Sequence, residues 1–146
     1  MSRRERMDHI AILKKKWLEK ILDKRKTIES RWYTTRRAPW NTIVQSDILY
    51  FKTTGELVTA TATVGRVFQF MLSEKSPKDI LLKYWKEIGI AKEEIVPWSK
   101  ELQKKKYCIL IELKNPKSIP AFNINKKGYG NMNAWICIDD VKRIIL

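Results

Sequence analysis

Apolar positions along the chain switch between a period near two and a period near 3.6, and the switches mark the elements. His9 to Leu13 is a run rich in branched residues, long enough for a strand and too short to need a helix. After three lysines, Trp17, Leu18, Ile21 and Leu22 recur at helical spacing and predict a short amphipathic helix over 15–24 with a basic last turn. A continuous helix from Arg3 to Lys24 is the competing reading. Thr27 to Trp32 alternates as a second strand, with Thr27, Glu29 and Arg31 on one face and Ile28 and Ser30 on the other. Pro39 and Asn41 then mark a loop.

Asp47 to Lys52 and Leu57 to Phe70 form a hairpin across Thr53, Thr54 and Gly55, and Gly65 marks a bend or bulge in the long second arm. Ser76 as N-cap, Pro77 at the first helical position, Asp79 in a capping-box pattern and Gly89 at the close bound a helix. Ile80, Leu81, Tyr84, Trp85 and Ile88 share one face of it. Residues 99–106 add a helical turn or two before a strand at Tyr107 to Leu113, which Asn115 and Pro116 end. The last thirty residues hold an extended piece at Ile119 to Phe122, a loop from Asn125 to Asn133, a strand at Ala134 to Ile138, and a short helix capped by Asp139. Strands with helices inserted between them predict an α+β barrel with flanking helices. Without repeat or linker, 146 residues predict one domain.

No apolar stretch approaches the roughly 18 residues of a membrane-spanning helix, so no membrane role is expected. The amino terminus is basic, but Ile10 to Leu13 is shorter than a secretory core, and Glu5, Asp8 and Glu19 disfavour a transit peptide. A cytoplasmic protein is expected. Cys108 and Cys137 lack paired spacing and read as reduced core residues. A single histidine, His9, leaves no imidazole cluster, reads as structural, and with the cysteines implies neither metal nor cofactor.

Charge narrows the partner. Thirty Lys and Arg against 16 Asp and Glu give a net +14, and the first 40 residues hold 13 basic and 5 acidic groups. A basic excess clustered at one end is the footprint of a protein that meets polyanions. Within it, Lys24 to Arg31 gathers ionisable groups at a helix-to-strand junction. If Ile28 points into the core, Glu29 and Arg31 lie side by side and Lys26 stands at the strand's start within reach of both. Such a trio can bind a polar ring and adjoining phosphates, or it is an ion pair on a solvated strand.

The pattern Lys26-x-x-Glu29-x-Arg31 resembles the core of the GxKxxExR motif of ASCH domains, small barrels of the PUA-like class. The preceding strand and short helix agree, and Asp47-Ile48 resembles the family's glycine-aspartate start of the next strand. Lys24 occupies the motif's glycine and Ser46 the glycine before Asp47, departures that concern turn geometry rather than the charged trio. The similarity spans residues 9 to about 113, with 114–146 expected as an extension packing on the barrel. It implies an ASCH/PUA-like β-barrel of about five to seven strands with short flanking helices. It also implies a cleft lined by Lys26, Glu29 and Arg31, and a nucleic acid, most of all RNA, or a modified nucleoside as partner. Some relatives resemble amidohydrolases of N-acetylated cytidine that use the motif lysine, a threonine and a downstream glutamate. Lys26 and Glu74 would then be catalytic, but Glu29 stands where the threonine is needed.

Two loops add to the candidate surface. Trp32-Tyr33-Thr34-Thr35-Arg36-Arg37-Ala38-Pro39-Trp40 interleaves aromatics with arginines, the composition of a base-stacking and phosphate-binding surface. Trp32 and Trp40 serve equally as a lid on the barrel. Lys126, Lys127 and Tyr129, in the run Lys126-Lys127-Gly128-Tyr129-Gly130-Asn131, repeat the ingredients on a smaller scale, as a second side of the same cleft or as an ordinary turn.

Overall fold

A computed structural model describes residues 5–129 and 134–146. Six strands and three short helices follow in the order β1 (Asp8–Leu13), α1 (Lys15–Leu22), β2 (Ile28–Tyr33), β3 (Ile48–Thr53), β4 (Val58–Met71), α2 (Pro77–Ile88), α3 (Ile95–Leu102), β5 (Tyr107–Phe122) and β6 (Trp135–Ile138). The strands make one mixed, curled sheet in the order β2-β5-β4-β3-β1-β6, in which β1 and β3 run parallel and the other pairs antiparallel. This is the expected α+β, barrel-like architecture, and the strand at His9 to Leu13 displaces the continuous-helix reading.

Several boundaries differ from expectation. The first helix ends at Leu22, because Lys24 takes a left-handed backbone, φ 68°. The third starts at Ile95 rather than Ser99, since Pro97 falls in its first turn, where no backbone donor is needed. Asn115 and Pro116 do not end β5. It runs on to Phe122, absorbing them in a register shift where Thr61 pairs Lys117 but Thr63 pairs Lys114. Beyond Glu112 the strand has no β2 neighbour, so one edge is open and tolerates proline. Asp140, not Asp139, caps the final turn by accepting from the Lys142 amide, while Asp139 pairs with Arg143. Cys108 is buried, but Cys137 is only half-buried.

Local chemistry explains the elements that the pattern anticipates. Ser76 accepts the Asp79 amide at 3.1 Å, and Gly89 closes α2 at φ 90°. Gly65 lies where β4 shifts register against β5, and a Cβ there would come within 2.9 Å of Lys114 and 3.0 Å of Glu112. The barrel interior gathers Ala11, Leu13, Leu49, Phe51, Ile109 and Ile111 around α1, while α2 and α3 cover the outer face of β2 and β5 through Ile28, Leu110, Ile80 and Leu81. His9 is fully buried. Trp135 donates its indole N–H to Nδ1 at 3.0 Å, so Nε2 carries the proton and donates to Asp47 at 2.8 Å. That network ties β1, β6 and the start of β3 together.

Candidate functional site at the barrel seam

The two margins of the curled sheet meet where β2 faces β1 and the approach to β6, and there the charged trio sits. Thr27 O accepts from Leu113 N and Tyr33 O from Lys106 N, so the odd-numbered residues of β2 turn their backbone groups to β5. Ile28, Ser30 and Trp32 therefore turn theirs to the seam. Arg31 spans it, with Nη2 donating to Ile12 O at 3.2 Å, Nη1 reaching Ala134 O at a long 3.5 Å, and the guanidinium 5.1 Å from the Trp135 ring centre.

Glu29 is the hub. Its Oε2 accepts from Arg31 Nε at 3.1 Å and Nη2 at 2.8 Å, and its Oε1 lies 3.3 Å from Lys26 Nζ. Lys26 Nζ also donates to Ile28 O and Ile88 O, both at 2.8 Å, so three acceptors surround the three donors of an ammonium. Because Ile88 ends α2, this lysine also satisfies a helix C-terminus, as does Lys20 through Gly89 O at 2.7 Å. Gly89 is needed there, since a Cβ would approach Lys26 Cβ to 3.1 Å.

The side chains of Lys26, Glu29 and Arg31 are only 3, 7 and 12% exposed, far from the solvated pair that composition alone allowed. Burial pushes the Glu29 carboxyl up, but the charges and hydrogen bonds of Arg31 and Lys26 outweigh it and hold the group below its ordinary value. Burial pulls the Lys26 amine down, opposed by Glu29. Burial likewise raises the Tyr33 phenol, with Arg31 and Arg37 opposing.

Above the trio opens a cleft of about 400 Å³, lined by all three of its residues. Trp17, Trp32, Tyr33 and Trp98 supply aromatic wall, and Lys14 and Lys105 stand at it as cations. Trp17 and Trp98 meet edge to face at 5.8 Å. Lys16, Lys20 and Lys26 all lie within 5.2 Å of the Trp17 ring centre. Trp17 reads in the sequence as a core-facing helix residue, and nothing in the local pattern singles out Trp98 or Lys105. Only the packing of α3 beside β2 brings them here.

Of the other candidates, Trp32 and Tyr33 belong to the cleft wall and the rest are dispersed. Trp32 bonds Ser30 Oγ through its indole N–H at 3.0 Å, and Arg37 lies 5.2 Å over Tyr33 at the cleft's edge. Arg36 lies 5.4 Å over Tyr107, and Trp40, 5.0 Å from the same ring, packs on the barrel core as a lid would. Lys126 neighbours Lys52, Lys127 is exposed, and Tyr129 packs on the core cluster of Ile10, Val58 and Ile136. None of those three lines the cleft. Gly130 and Asn131 lie outside the described residues. Glu74, exposed in the turn after β4, is not a lining residue either. A larger hollow, about 660 Å³, lies at Asn41, Arg66 and Gln69. Its Asn41 and Gln69 amides bond each other at 2.7 Å and its arginine pairs with Glu112 at 2.9 Å. Among the described residues no cluster of metal-ligating side chains occurs, and no helix is long and apolar enough to cross a membrane.

No protein-family model matches the sequence, and no curated protein matches it. Among solved structures, the fold is similar to the ASCH protein of Zymomonas mobilis, with 15% identity and a TM-score of 0.65 over 90% of this chain and 87% of that one. A tyrosine-to-phenylalanine mutant of that protein gives a TM-score of 0.67 at 14% identity over 94% of each chain. A hypothetical protein, PH0355, is 24% identical over 75% of this chain and 97% of that one, with a TM-score of 0.52. The chain has an ASCH-like α+β fold.

Lys24 at φ 68° and Ser46 at φ 79° both hold left-handed backbone. These are the positions at which the motif resembled in the sequence has glycine, the residue best suited to that backbone.

Proposed function

We propose that this protein binds RNA by admitting a nucleobase into the seam cleft. An ASCH-like fold is consistent with a nucleic-acid-binding or nucleotide-processing role. The observation that carries the finer reading is the cleft's composition: aromatic walls for stacking, an ion-tied polar floor and lysines at its sides. The backbone of Ser30 and Trp32, turned to the seam, offers donors and acceptors to a base edge, and Arg31 adds a charged donor. A net charge of +14 supplies sequence-independent affinity for phosphates. In this reading Trp32, Tyr33 and Arg37 border the bound base, and Arg36 and the Lys126 loop contribute only to the wider field. The compartment that fits two unbridged cysteines is the cytoplasm.

Hydrolysis of an N-acylated cytidine is the weaker reading. The amine of Lys26 is engaged by three acceptors, and Glu74 is not a lining residue of the cleft. Fluorescence anisotropy of a labelled r(U)12 oligonucleotide across salt concentrations tests binding, beside Trp98→Ala. We expect log affinity to fall linearly with log salt, and the variant to bind about tenfold or more weakly, in line with ~1 to 3 kcal/mol per stacked base. Absence of binding at low salt, or a Trp98→Ala protein that binds as the parent does, refutes the proposal.

A further inference from the structure

Lys26 also forms part of a second hollow. At the far end of α1 a groove of about 460 Å³ is lined by Ile21, Lys24, Thr27, Leu113, Lys114 and Lys117, among others. Its apolar base is Ile21 and Leu113, its exposed sides carry three lysines, and among the described residues no carboxylate lines it. Asp23 pairs with Arg25 at 2.7 Å, and Glu112 pairs with Arg66 at 2.9 Å while its charge also acts on Lys114 from outside the groove. Lys24, Lys114 and Lys117 form no ion pair among the described residues. Two lining residues, Lys24 and Asn115, hold left-handed backbone at φ 68° and 51°. Lys24 thus sits in a conformation that disfavours any side chain, and its side chain is exposed rather than part of the core. What that side chain supplies is a positive charge at the groove.

We infer that this groove binds the phosphodiester backbone of the single strand whose base enters the seam cleft. The inference rests on the function proposed above, and extends it from one base to a strand passing Lys26 from one hollow to the other. Lysines suit the task, since an ammonium on a flexible stem meets phosphate oxygens without a fixed orientation and without reading sequence.

The test compares r(U)12, d(T)12 and uridine monophosphate on the intact protein and on two variants, Lys24→Gly and the triple Lys24→Gly, Lys114→Ser, Lys117→Ser. Lys24→Gly places glycine in a left-handed turn, so melting at or above the parental temperature separates lost binding from lost folding. The triple variant should bind r(U)12 about tenfold or more weakly, with a log-log salt slope shallower by ~2, or ~0.7 for each phosphate released. Lys24→Gly alone should show about a third of the slope change, and mononucleotide binding should not change in either. An equal loss for d(T)12 supports a phosphodiester site indifferent to the sugar. Unchanged oligonucleotide affinity and slope, with mononucleotide binding intact, overturns the groove and leaves the cleft standing. Equal loss for mononucleotide and oligonucleotide also overturns it, and a parent that binds no probe overturns both.

Discussion

Glu29 is a carboxylate with almost no access to water, and its environment decides how the protein meets acid. Its pKa is held below the ordinary 4.5 in the folded state, so between the two values the unfolded chain binds more protons. The stabilisation is therefore complete above about 4.5 and is lost as pH falls through the folded value. Glu29→Gln should destabilise by about 3 kcal/mol near neutrality, because it leaves two buried cations without their counter-charge. Urea unfolding midpoints from pH 7 to pH 3 should show a shallower acid slope for the variant than for the parent. An identical slope would assign the acid sensitivity elsewhere. Ser46 poses the opposite test: at φ 79° its replacement by glycine relieves left-handed strain, partly offset by glycine's greater unfolded freedom. Ser46→Gly should gain about 0.5–1 kcal/mol, read as a melting temperature higher by ~2–4 °C. The charged trio was legible at this scale, because a period of two puts Glu29 and Arg31 on one face. Its burial was not, since that depends on the opposite margin of the sheet and on α2.

Elements bounded by their own chemistry were the readable ones. Helix α2 carries its cap, its first-turn proline and its closing glycine in sequence, and β2 carries its alternation. Helix α3 and the second half of β5 carry no such marks. Pro116 suggests the end of a strand, but it lies where β5 has lost its β2 partner, and Pro97 needs no donor in the first turn of α3, which starts four residues before the expected Ser99. The strongest joint between elements is equally non-local. Asp47 accepts from His9 Nε2, Met7 N and Val44 N at 2.8, 3.0 and 3.1 Å, linking β1, the loop before β3 and, through His9, Trp135 of β6. Asp47→Ala leaves those donors without an acceptor and should lower stability by about 3 kcal/mol or more. Hydrogen exchange should then report lost protection in β1 and β6 before β5. Uniform protection loss would mean that the joint is not where these margins are held.

Across the whole molecule, the curl of the sheet converts a sequence-local motif into a concave site. It brings β2 against Ile12 and Ala134, stands Trp17 and Trp98 over the trio, and leaves Lys126, Lys127 and Tyr129 outside the cleft. Basic charge alone predicts attraction to any polyanion, and aromatic residues alone predict a core. The proposed binding of a nucleobase with its phosphates rests on their joint placement around one hollow. The most direct measurement is ultraviolet crosslinking of r(U)12 to the intact protein, with the joined peptides identified by mass spectrometry. Adducts are expected on the peptides of Trp17, Trp32, Tyr33 or Trp98, suppressed by excess uridine monophosphate. Adducts confined to Trp40 or the Lys126 loop, or none in the seam, would contradict the proposal.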